Sequence, residues 1–133
     1  MSVEELKIAA TKHTPEIDLN PDGVIKISGR SMIEDVNVFS KQIEAWVNEY
    51  IINPADLTRI DFHLEYLATN NLKFYINLLT RILSVKLKDK KCIINWYFDE
   101  GDEDILEKGE NISSSLYFPF NYIEIFDPNI RIR

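Results

Sequence analysis

Residues 57–66 constrain the fold more than any other part of the chain. Ile60, Phe62, Leu64 and Tyr66 alternate there with Arg59, Asp61, His63 and Glu65. A period of two puts the apolar set on one face of a strand and the charged set on the other. A strand buried on both faces would read as an unbroken apolar run instead. This strand therefore belongs to a sheet with one packed face, and helices should cover it mainly on that side.

Helical periods flank the strand. Val36, Phe39, Ile43, Trp46, Val47 and Tyr50 recur at three- and four-residue intervals, one stripe of an amphipathic helix. Ser31 and Glu34 have capping-box spacing at its start, and Pro54 closes it. Leu72, Tyr75, Ile76, Leu79, Ile82, Leu83 and Leu87 predict a second helix over 70–87. The apolar run 91–98 predicts a central strand. A short helix over 102–108, with Gly109 as its stop, and a last strand over 122–126 complete the series. Asp127-Pro128 marks a break near the end.

Ahead of the first helix, Pro21-Asp22-Gly23 is a turn signal, since proline presets φ and glycine accepts positive φ. Extended segments at 16–19 and 24–28 make it a hairpin, and 7–12 reads as a further extended segment. The order is hairpin, α, β, α, β, α, β. Strand–helix–strand alternation gives parallel pairs, and the hairpin adds antiparallel ones. The expectation is an α/β fold: one domain over residues 1–133, with a mixed sheet and helices mainly on one face.

With 45% hydrophobic residues, the chain can bury a core. Its net charge of −7, from 15 basic and 22 acidic residues, argues against nucleic acid or an anionic membrane as partner. The first residues carry no basic, then apolar, leader, and no apolar run approaches the span of a bilayer. The expected location is the cytoplasm. Cys92, the single cysteine, forms no internal disulfide and reads as a small core side chain of a reducing compartment.

Catalytic patterns are scarce. There are two histidines, His13 and His63, and no metal-binding spacing. One cysteine cannot build a thiolate zinc site. No glycine-rich phosphate loop and no Gly-x-Ser-x-Gly elbow occur, so neither cofactor nor metal is expected. His63 with Asp61, or with Glu65, would be the base of a small hydrolase, but no nucleophile is placed beside it. Phe118 and Phe120 would be the anchors of a constitutive protein-binding scaffold, or else core. The acidic run Asp99, Glu100, Asp102, Glu103, Asp104 reads as a helix start, and Lys86, Lys88, Lys90 and Lys91 as a helix end. At the junction Tyr66-Leu67-Ala68-Thr69-Asn70-Asn71, position makes Thr69 an N-cap, with Asn70 or Asn71 as alternatives.

An ordered set of short segments changes the weight on Thr69. Thr14-Pro15-Glu16-Ile17, Gly29-Arg30-Ser31, Trp46, Tyr50, Glu65-Tyr66-Leu67-Ala68-Thr69, Trp96-Tyr97, Gly109-Glu110 and Pro119-Phe120 together resemble the SiaC family of bacterial regulatory phosphoproteins. The resemblance implies a fold similar to STAS anti-sigma-factor antagonists. It implies a non-enzymatic partner switch, phosphorylated on a junction threonine by a protein kinase and dephosphorylated by a PP2C-type phosphatase. The unphosphorylated form would bind an effector such as a diguanylate cyclase. Carried over by motif, the phosphoacceptor is Thr69. Tyr66, Asn70, Asn71 and Lys73 would surround that site and are the expected partner contacts. The sequence departs from the family where Asn70 and Asn71 stand in place of serines.

Overall fold

A computed structural model describes residues 3–126, so Met1, Ser2 and the Asp127-Pro128 break lie outside the described residues. Strands β1 (Leu6–Ile8), β2 (Glu16–Leu19) and β3 (Val24–Ser31) come first. Helix α1 (Val36–Tyr50), β4 (Leu57–Leu67), α2 (Leu72–Ile82), β5 (Lys91–Asp99), α3 (Glu103–Leu116) and β6 (Asn121–Ile125) follow. Three-residue-per-turn helix over Thr69–Asn71 leads into α2, and another over Leu83–Lys88 leads out of it.

The strands lie in chain order, β1-β2-β3-β4-β5-β6. The β1/β2 and β2/β3 pairs are antiparallel; β3/β4, β4/β5 and β5/β6 are parallel. Each parallel crossover steps one strand in the same direction. Right-handed connections then place all three helices on one face. The mixed α/β sheet expected from the alternation is the one observed.

Register aligns the core across the strands. Ile25, Ile60 and Ile94 form one row, and Ile27, Phe62 and Trp96 the next. These side chains are at most 1% exposed. Ile43, Trp46, Val47 and Tyr50 of α1 close over the rows, as do Phe74, Tyr75, Leu78, Leu79 and Ile82 of α2. The other face is polar and tied to itself. Asn121 donates to Asn95 at 3.0 Å, Asn95 donates to Asp61 at 2.9 Å, and Arg59 pairs with Asp61 at 3.2 Å.

Four sequence expectations shift. The cap of α1 is Asp35, not Ser31 with Glu34, because β3 runs on through Ser31 and buries it. Leu87 leaves the α2 stripe and is 88% exposed, because tightening to three residues per turn rotates it outward. Helix α3 continues past Gly109 to Leu116, and Tyr117 in the left-handed region ends it. Gly109 is instead a contact point: a Cβ there would lie 2.5 Å from the Trp96 indole. Last, of 7–12 only Lys7 and Ile8 are in a strand, the short β1.

Candidate functional site

The junction between β4 and α2 begins with a break in the strand's alternation. Gly29 pairs with Leu64 but Arg30 pairs with Tyr66, so Glu65 has no opposite residue. Such a bulge turns the following side chain to the other face. Leu67, rather than Tyr66, then enters the core at 0% exposure, and Tyr66 emerges at 40%. The expected phase of Tyr66 is corrected by this single extra residue.

Tyr66 is held between two cations. The Arg30 guanidinium carbon and the Lys108 ammonium each lie 5.5 Å from its ring centroid. Lys108 also donates to the Leu67 carbonyl at 2.5 Å and pairs with Asp104 at 3.1 Å. The end of β4 is thus braced from α3.

Thr69 is exposed and opens the tight turn ahead of α2. No side chain caps this turn or the start of α2. The N-cap reading of Thr69, and of Asn70 or Asn71 in its stead, therefore fails. The turn closes through its backbone, with the Asn71 amide donating to the Ala68 carbonyl at 2.9 Å.

Asn71 does different work from the partner contact expected of it. It is fully buried. Its Oδ1 accepts from the Ser31 hydroxyl at 2.9 Å and from the Ile33 amide at 2.7 Å, and its Nδ2 donates to the Ile33 carbonyl at 3.1 Å. Ser31 and the Tyr75 hydroxyl are 2.7 Å apart. Burial raises the Tyr75 phenol above its ordinary pKa, against the opposing influence of its hydrogen bond with Ser31. The knot pins the start of α2 to the end of β3, and a buried amide with both ends bonded is strongly specified. Position alone gives no signal for this, since an asparagine after a threonine reads as surface. Asn70 and Lys73 are exposed beside Thr69.

The rival sites separate. His63 bonds Asp99 at 2.9 Å rather than Asp61, which is engaged by Arg59 and Asn95. Phe120 is core at 6% exposure, and Phe118 packs against the core with Lys86 over its ring at 5.0 Å. Neither is a free anchor. Burial lifts the Cys92 thiol to about 11, partly offset by Lys86, which fits a packed side chain rather than a reactive one. Among the described residues no group of three or more His, Cys, Asp or Glu could hold a metal. No described helix is long and apolar enough to cross a membrane. A hollow of about 500 Å³ between α1 and α2 is lined by residues such as Asn37, Glu44, Phe74 and Arg81, and Thr69 is not among its walls.

A model of the SiaC family regulatory phosphoproteins matches residues 8–125. The chain belongs to the SiaC family of regulatory phosphoproteins. The SiaC-family fold is shared with solved structures from Pseudomonas aeruginosa. One is the diguanylate cyclase SiaD in complex with its activator SiaC, matched with a TM-score of 0.80 at 23% identity over 90% of this chain and 99% of that one. Apo-SiaC matches with a TM-score of 0.75 at 21% identity, over 90% of this chain and 98% of that one. A further SiaC structure gives 0.73 at 20% identity, over 93% and 99%. At these identities the likeness concerns the fold. A comparison with curated protein sequences finds no match.

Proposed function

We propose that this SiaC-family domain is a non-enzymatic partner switch of the cytoplasm, acting as one unit over residues 1–133. A protein kinase phosphorylates Thr69 and a PP2C-type phosphatase removes the phosphate. The unphosphorylated domain docks on an effector of the diguanylate cyclase class, as SiaC is the activator of SiaD in the P. aeruginosa complex. Tyr66, Asn70 and Lys73 supply contacts, and Asn71 holds them in place from below.

The observation that carries this reading is the exposed, uncapped Thr69 at the start of the turn into α2. Its hydroxyl is open to a kinase without unfolding the junction. A phosphate there adds roughly −1.5 to −2 charges close to the positive end of α2. The domain should keep its fold, because the modified side chain braces nothing. The effector instead has to accept a charge in its interface. An unpaired buried charge costs several kcal/mol, enough to weaken binding more than tenfold.

The direct test is to treat the purified protein with its cognate kinase and ATP, then locate the phosphate by mass spectrometry. Modification at Thr69 supports the switch. Modification only elsewhere, or none, sinks it.

A further inference from the structure

We infer that Arg30 is the receptor for the phosphoryl group on Thr69. The inference rests on Thr69 as the phosphoacceptor and names the group that responds to it.

Three observations converge on Arg30. First, among the described residues no carboxylate lies within ion-pair distance of it, although it is exposed in a chain of net charge −7. Its contacts are the Tyr66 ring and a 3.6 Å approach of Nη2 to the Met32 sulfur. Both are weak compared with a bidentate oxyanion pair.

Second, Arg30 stands at the end of β3, next to its last residue, Ser31. The chain leading to Thr69 follows that same edge: Ser31 pairs with Leu67, and the Ala68 amide donates to the Ser31 carbonyl at 2.9 Å. Arg30 and Thr69 thus lie at the same end of the β3/β4 pair.

Third, the other local cations are less suited. Lys108 is already held by the Leu67 carbonyl and Asp104. Lys73 is exposed on the first turn of α2 and offers a point charge rather than a planar fork. A guanidinium matches phosphate geometry with paired N–H donors.

Capture of the phosphate takes Arg30 off Tyr66. Phosphorylation then changes the docking surface twice: it adds charge at Thr69 and strips one cation from the exposed aromatic ring. An effector that reads Tyr66 with its cation in place meets a different surface even where it does not touch Thr69.

The test installs phosphothreonine at position 69 during synthesis, so it does not depend on any kinase. Phosphorus NMR then gives the second phosphate pKa in the full chain, in Arg30→Gln, in Arg30→Lys and in Lys73→Gln, each checked for native circular dichroism. The pKa in the Arg30 chain is expected to lie lower by about 0.5 than in Arg30→Gln, roughly a threefold change in proton affinity, with Arg30→Lys between them. Tyr66 ring resonances should move on phosphorylation in the Arg30 chain and stay put in Arg30→Gln. Equal pKa values in the Arg30 chain and Arg30→Gln overturn the inference. So does a pKa that depends on Lys73 and not on Arg30. Failure of a kinase to modify Thr69 would sink the switch itself, a result separate from these.

Discussion

Three helices start at the same end of the sheet, and one starts differently from the other two. At α1, Asp35 accepts a bond from the Val38 amide at 3.2 Å; at α3, Asp102 accepts from the Ile105 amide at 3.1 Å. Each carboxylate satisfies an orphan donor and suits the helix dipole. At α2 no side chain does either. The junction is held from inside by Asn71, and its outer surface carries the unengaged Thr69. Two helix starts have their negative charge encoded in the chain. The third has an exposed hydroxyl, which in the proposed switch is where a negative charge is added and removed.

The comparison breaks most sharply at the inner brace. Asn71→Ala leaves the Ser31 hydroxyl and the Ile33 amide buried without their partner. The expected cost is about 3 kcal/mol in urea unfolding at unchanged m, or roughly 10 °C in Tm. A loss under about 0.5 kcal/mol would mean that the knot does not hold the junction. Next in size, Thr69→Asp should weaken effector binding by at least about tenfold, or 1.4 kcal/mol, in a calorimetric titration with Tm nearly unchanged. Retained affinity would contradict the switch. Smaller again, Asp102→Ala should destabilise by about 1 kcal/mol, as should Asp35→Ala. The least effect is expected of Thr69→Ala, within about 0.5 kcal/mol of the parent. If it matched Asp102→Ala instead, Thr69 would be a cap after all and the contrast between the helix starts would vanish.

The large features were legible because they are periodic. The alternation from Arg59 to Leu64 and the apolar stripe of α1 each report a face buried along several turns or pleats. The junction was less legible because its features are single events. One unopposed residue, Glu65, moves Tyr66 from core phase to surface, and no local composition announces a bulge. Asp35 and Ser31 both have the chemistry of a cap; β3 extending alongside β4 decides between them. Gly109 carries a helix-stopping composition, yet the interior of α3 needs it for contact with Trp96. Thr69 became a candidate through family resemblance, whereas Asn71 as a brace needed the fold, since its partners lie on β3 and just beyond it.

The same Gly109 contact reaches the proposed docking surface. Without a side chain at that position, α3 can seat close enough to the sheet for the adjacent Lys108 to reach the last carbonyl of β4 and the ring of Tyr66. A methyl group at 109 would act as a shim under the helix. It would lift Lys108 from the strand end and loosen the setting of Tyr66 without altering any exposed residue there, so the shape of the proposed docking surface is set in part by the thickness of a packing layer.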